Sequence, residues 1–189
     1  LTQSWLVTLT DHSLVTPEPD RWRLLEMIRE FAWNQMTVAE RIQAQKRHAR
    51  YFHDLLTQSA GQPEAIEQDH DNYLAALHSS IEQGETAAAL QMCSALAWFW
   101  ETHGYVREGQ ALIRRSLALP GTMDADQRIN LLFKAANLSW QCYDFTSADE
   151  FAHQAIALAQ AEQPARLAAL FNLVGRINIE RGEFSQAET

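Results

Sequence analysis

The sequence predicts an all-helical chain whose larger part is a stack of helix–turn–helix hairpins repeating about every 39 residues. Three observations predict it. Turn formers are scarce, with 7 Gly and 5 Pro in 189 residues, whereas the good helix formers Ala, Leu and Gln are abundant. Apolar residues recur at helical spacing, as in Leu131, Leu132, Ala135 and Leu138. The third observation is register. Segments beginning at His103, Cys142 and Arg181 align at a separation of 39 residues, placing Val106, Phe145 and Phe184 in one column. Gly109, Ala148 and Ala187 form a second column, and Ala97, Ala136 and Gly175 a third. Both of these columns are small throughout. Two helices of a hairpin approach closely only where neither side chain projects beyond a methyl group, so the columns mark the crossing points. Each hairpin keeps apolar residues on both flanks and buries them only by stacking on its neighbours.

In chain order, residues 1–35 differ from the rest. SWLVTLTDHSLV reads as a short amphipathic helix offering Leu6, Leu9 and Leu14 to one face. TPEPD breaks it as a turn, RWRLLEMI is a return strand or the start of a helix, and IREFAWNQM is helical. A helix, a Pro-rich hairpin tip and a Trp-containing return strand together read as the C-terminal part of a winged-helix unit. Residues 36–85 link this unit to the repeats. Residues 86–189 hold the repeats, the third of which is cut short.

Net charge is −9, which argues against a dedicated nucleic-acid binder. The charge is uneven. Seven basic residues lie between Arg21 and Arg50 against three acids, and seven acids with no Lys or Arg lie between Asp54 and Glu85. The basic stretch reads first as a solvated helix face paired with acidic neighbours. His12 and Arg21 to Arg23 are where a winged helix would reach phosphate, but Glu18 and Asp20 put acid at that tip. Cys93 and Cys142 are 49 residues apart without a CxxC, which suits two buried thiols in a reducing cytoplasm. No apolar run is long enough for a membrane span, and no signal peptide is visible. HExxH, a P-loop and a strained nucleophile turn are all missing, so no catalytic residue, metal or cofactor is expected. EQDHD, Glu67 to Asp71, clusters carboxylates around His70, but its side chains diverge in a helical reading and serve a helix start equally well.

The columns resemble the tetratricopeptide repeat over about Thr86 to Thr189, with Pro120 where that repeat carries its proline and FNLVGRINIERGEF as the nearest segment. The units exceed that repeat's usual 34 residues. The extra length is expected in the connections PGTMDAD and QAEQPAR, and Gly109 stands where Ala is usual. The resemblance implies a right-handed superhelix with a concave face lined by the first helix of each unit. On that reading the inward residues are Gln91, Ser94, Trp98, Glu101 and Thr102 in the first unit. The second contributes Asn130, Phe133, Asn137, Trp140 and Gln141, and the third Asn172, Arg176 and Glu180. A partner groove is expected at Trp98, Glu101, Asn130, Asn137, Trp140, Gln141, Asn172 and Arg176. Trp and Arg are enriched at binding hot spots, and Asn pairs with both backbone groups of an extended peptide. The competing reading places Trp98 and Trp140 in the core. Of Trp98, Phe99 and Trp100, about one should be exposed.

The run DHSLV…RWRLLEMIREFAWNQM, then KRHARYFHDLL, then EQDHDNYLAALHSSIEQGE, followed by the repeats, is similar to large bacterial STAND-class ATPase regulators of the AfsR and LuxR-associated type. The order of these segments carries the resemblance more than any one of them. It implies a C-terminal fragment of a cytoplasmic transcriptional regulator whose ATPase lies upstream in the parent chain. It further implies that residues 36–85 form a helical connector with Asp71, Asn72, Leu74 and Leu77 on its helix, that the winged helix packs against that ATPase, and that DNA is contacted through another domain. The repeats would act as a sensor binding a protein, a peptide or a small effector. The alternative is a DNA-binding winged helix joined to a helical oligomerisation array.

Overall fold

A computed structural model describes residues 2–18, 21–58, 63–121 and 123–182. Phe184 and Ala187, the last members of two columns, lie outside them, as does Asp20 at the expected hairpin tip. The chain is mostly helical with one small antiparallel hairpin, and it divides into two compact units, Leu1–Arg47 and His48–Thr189. No helix among the described residues is long and apolar enough to cross a membrane.

In the first unit, α1 (Thr2–Asp11) stops earlier than its apolar pattern suggests, and Leu14 falls beyond it. Ser13 turns left-handed at φ 55°, and the Leu14 N–H donates to the Leu9 carbonyl at 2.9 Å while Ser13 donates to Thr10 at 2.8 Å. That pair of bonds is a Schellman closure. Strand β1 (Val15–Glu18) then pairs with β2 (Arg21–Leu24), Pro17 opposite Trp22. RWRL is therefore the return strand, and α2 (Glu26–Gln35) follows it. Helix α3 (Val38–Gln58) starts in a capping box: Thr37 N–H donates to Glu40 Oε2 at 2.8 Å, and Glu40 N–H to Thr37 Oγ1 at 3.3 Å. The Thr37 backbone N–H first, and then the Thr37 hydroxyl donating to the same Oε2 at 2.8 Å, hold the Glu40 carboxyl below its usual pKa. Val15 is the buried hydrophobic residue among the described residues of this unit, while Trp5, Met27 and Phe31 stand well exposed.

The division between units falls inside α3. Its C-terminal part, with α4 (Pro63–Gln68) and α5 (His70–Glu82), opens the second unit. Phe52 packs edge-on against Tyr73 at 5.4 Å, and His48 Nε2 lies 3.5 Å from Asn72 Oδ1. Two hairpins follow, α6 (Thr86–His103) with α7 (Val106–Leu117) and α8 (Ala125–Gln141) with α9 (Phe145–Glu162). A 3-10 turn (Pro164–Arg166) then leads into α10 (Leu167–Arg181). Thr86 and Ala125 open α6 and α8, Val106 and Phe145 open α7 and α9, and each pair is 39 residues apart. The ends keep the same period. Gly104, Tyr143 and Gly182, one per unit, all adopt left-handed backbone, with φ of 83°, 60° and 78°. Of the expected connections, PGTMDAD loses its last two residues, Ala125 and Asp126, to α8, and QAEQPAR fails. Gln160 to Glu162 continue α9 and Pro164–Arg166 form the turn, so the added length extends a helix. Nothing breaks the helix before Pro164, and a helical residue keeps its backbone hydrogen bond.

In the first two hairpins the small columns are buried, whereas in the third Gly175 is half-buried and Ala187 lies outside the described residues. Ala97, Ala136 and Ala148 are at most 2% exposed, and Gly109 is buried beneath Trp100. Leu131, Leu132, Ala135 and Leu138 are buried as their spacing predicts. One continuous core runs from Ala49 to Ile177. Helix α8 contacts both α6 and α10, so these three first helices lie in one row, and α5 touches α7 in the other. Arg114 and Arg115, in the last turn of α7, bind that second row. Arg115 reaches His78 of α5 at 3.0 Å, while Arg114 donates to the Ser147 hydroxyl of α9 at 2.6 Å and stacks 4.8 Å from Phe151.

Candidate partner-binding face

The first helices are positioned by their ends. Thr86 Oγ1 donates to the Pro120 carbonyl at 2.6 Å, tying the start of α6 to the chain leaving α7. Asp124 caps α8 by accepting the backbone N–H groups of Asp126 and Gln127. Arg166 donates to Asp126 Oδ1 through Nη2 at 2.6 Å and Nε at 3.1 Å, holding the turn before α10 against α8.

On the row so fixed, Trp98 is 49% exposed while Phe99 and Trp100 are fully buried, so one of the three faces solvent. Glu101 is exposed and accepts a hydrogen bond from Gln141 Nε2 at 3.0 Å, joining α6 to α8. Trp140 is half-buried, and the Arg176 guanidinium lies 4.0 Å over its ring, joining α8 to α10. The structure thus brings together two pairs of the expected groove residues. Asn137 is half-buried and Asn172 exposed, and neither is held by another expected residue in this arrangement. Asn130 is drawn elsewhere. It lines a shallow cleft of about 70 Å³ with Phe133, Leu170 and Arg166. Thr102 turns its hydroxyl back to the Trp98 carbonyl at 2.9 Å. EQDHD becomes the junction between α4 and α5, with the buried His70 ring tilted 33° to that of Tyr105 at 4.2 Å and Asn72 Nδ2 donating to Asp69 at 3.0 Å.

Register sharpens the picture. Trp98, Asn137 and Arg176 occupy one repeat position, 39 residues apart, beside the small column of Ala97, Ala136 and Gly175. All three reach solvent at least in part, while Ala97 and Ala136 are buried.

Lys134 was not among the expected residues. Its Nζ donates to the Ser94 carbonyl at 2.7 Å; burial lowers its pKa, and the Glu101 charge partly restores it. The available signal was a Lys interrupting a column otherwise held by Ala95 and Leu173. His53 of α3, whose Nε2 is 2.7 Å from Gln91 Oε1, was equally unforeseen, because no period links α3 to the repeats. Both cysteines are free, Cys93 buried and Cys142 half-buried. Burial raises both thiols, Cys93 to about 12.

Comparison with protein-family models, with curated proteins and with solved structures finds no match for this chain.

Proposed function

We propose that the second unit is a tetratricopeptide-like superhelical array serving as the interaction and sensor region of a cytoplasmic, bacterial, signal-dependent transcriptional regulator. It carries out no chemistry itself and holds a segment of a partner protein across α6, α8 and α10. The observation that supports this is the column of Trp98, Asn137 and Arg176, one residue per unit, solvent-accessible on three successive first helices. A large aromatic, an amide and a guanidinium in line offer an anchor, a backbone-pairing group and a charge. In this proposal the first unit is the remnant of a winged helix that docks on an ATPase domain of the parent chain. Its exposed Trp5, Trp22, Met27 and Phe31 favour a protein contact. The ion pair of Arg23 with Glu18 at 2.7 Å neutralises a hairpin cation and weighs against DNA.

The test places a photo-crosslinking amino acid at position 137 in cells, identifies the protein it captures, and measures that protein's affinity in solution. Trp98→Ala and Arg176→Ala should each weaken binding by about 2 kcal/mol, roughly thirtyfold, as central hot spots do. Asn130→Ala, away from the column, should leave binding unchanged. Wild-type affinity in both Trp98→Ala and Arg176→Ala would refute the proposed face.

A further inference from the structure

A cavity of about 410 Å³ opens between the end of α3, the first turns of α6 and the start of α8. That volume is within the range of small-molecule sites. Its apolar lining comes from Ala87, Leu90 and Ala95 of α6 and from Met123. From Ala87 to Ala95 the helix rises about 12 Å, enough for a short aliphatic chain laid along it. The polar lining is Thr57, Gln91, Ser94 and Gln127, all uncharged.

Asp124 is the one charged residue of the described lining, and one oxygen of its carboxylate is engaged. It accepts the N–H groups of Asp126 at 3.1 Å and Gln127 at 3.3 Å as the cap of α8. The nearby Lys134 ammonium is turned onto the Ser94 carbonyl. Gln91 is held in place by His53 at 2.7 Å, and His53 is itself oriented by Asp54 at 3.1 Å. An amide has a donor end and an acceptor end. Whichever end meets His53, the other remains for the cavity. The Thr57 hydroxyl gives its proton to the Asp54 carbonyl at 2.8 Å and keeps its lone pairs.

These features select a class of ligand. A cation would face the like charge of the nearby Lys134 ammonium and an anion that of the Asp124 carboxylate, so neither sign gains a net counter-charge to offset its lost hydration. A purely apolar one would cover the rim amides and leave them unpaired. We propose that this cavity binds a small uncharged molecule with an amide-type head, paired to Gln91 and Gln127, and a short aliphatic arm lying on Leu90 and Met123. The site is separate from the column of Trp98, Asn137 and Arg176, so either holds if the other fails.

The experiment titrates the full chain with hexanamide, hexanoate and hexylammonium, three probes of one length and different charge, and follows backbone amide resonances. Hexanamide should shift Leu90, Gln91, Ser94 and Gln127 saturably, with a dissociation constant on the order of 1 mM. The two charged probes should bind at least tenfold more weakly. Ala95→Phe, at an exposed position, should fill the cavity and abolish the shifts while the helical spectrum is unchanged. Gln91→Leu should erase the preference for the amide over the charged probes. The proposal is overturned by an absence of saturable shifts with hexanamide, by equal binding of a charged probe to the wild-type chain, or by unchanged hexanamide binding in a folded Ala95→Phe chain.

Discussion

Replacing Gly109 by Ala should destabilise this chain, against the ordinary preference of helices for alanine. Gly109 is the fourth residue of α7, where alanine is favoured over glycine by roughly 1 kcal/mol. A Cβ built there would lie 2.6 Å from Cε3, 2.7 Å from Cδ2 and 3.0 Å from Cβ of Trp100. Relief to ordinary contact requires a shift of roughly half an ångström or more, since apolar carbons meet at about 3.5–4.0 Å. The indole that must move is fully buried in a close-packed interior. Overpacking of this kind costs about 1–3 kcal/mol, so after the helix preference is subtracted a net loss of up to about 2 kcal/mol remains. The same position in α9 is Ala148, where the residue 39 positions after Trp100 is Ser139. Glycine is therefore the right residue against Trp and alanine against Ser. Urea unfolding followed by helical circular dichroism measures the loss. In a Trp100→Leu background the same Gly109→Ala change should be neutral or stabilising, giving a coupling of about 1 kcal/mol or more in the double-mutant cycle. A Gly109→Ala chain more stable than wild type, or additivity of the two changes, would refute the reasoning.

Three further outcomes follow from other parts of the repeat. Tyr143 holds a left-handed conformation at φ 60° where the other units have glycine, and it is 78% exposed. Tyr143→Gly should therefore raise stability by about 0.5–1 kcal/mol in the same urea assay, a strain relief of about 1–2 kcal/mol less the added unfolded-state entropy. Asp144 caps α9 and accepts Gln110 Nε2 at 2.7 Å, and hydrogen bonding, first from Ser147, holds its carboxyl below the usual value. Because its folded pKa is depressed, its contribution is complete above the unfolded value near pH 4 and is lost as pH falls through the folded one. Asp144→Ala should thus cost about 1 kcal/mol near neutral pH and progressively less in acid, and a pH-independent difference would be wrong. Cys93 is fully buried with its thiol raised to about 12, its Sγ 3.3 Å from Ser116 Oγ, whereas Cys142 is half-buried. A thiol reagent at about pH 8 should label Cys142 in the folded chain and Cys93 only after unfolding; equal rates in the folded chain would contradict the packing.

The period was legible because it is written in steric terms. A crossing tolerates only small side chains, so Ala97, Ala136, Gly109 and Ala148 declare themselves in any register that superimposes them. Left-handed ends were harder to see, since Tyr143 hides the position that Gly104 and Gly182 mark. The extension of α9 through Glu162 was obscured by Pro164, which stops a helix at its own position without saying how far back the loop begins. The site was less legible than the fold. Helical spacing identifies which side of α8 faces inward, but it does not say that Gln141 reaches back to Glu101 while Trp140 reaches forward to Arg176. Those choices depend on side-chain torsions across a seam between units. The cavity beside Gln91 depends on α3, which stands outside the period altogether.

The pairings on the first-helix row also bear on what that row is able to bind. Glu101 with Gln141, and Lys134 with the Ser94 carbonyl, already engage part of the polar capacity of the seam between α6 and α8. A ligand approaching there would have to replace bonds already made. The seam between α8 and α10 is different. Arg176 gives the face of its guanidinium to the Trp140 ring and keeps its N–H edge available, because stacking uses the π-face and hydrogen bonding uses the rim. The long side chain has then already lost much of the rotamer freedom that binding would otherwise cost, which is about 0.5–1.5 kcal/mol for one such residue. On the proposed function, a carboxylate or carbonyl of a partner would meet a pre-oriented donor at Arg176, and at Trp98 an exposed ring whose fixed neighbours, Phe99 and Trp100, anchor it in the core. Of the eight groove residues expected from the sequence, these two have the strongest physical case, with Asn137 between them at the same repeat position.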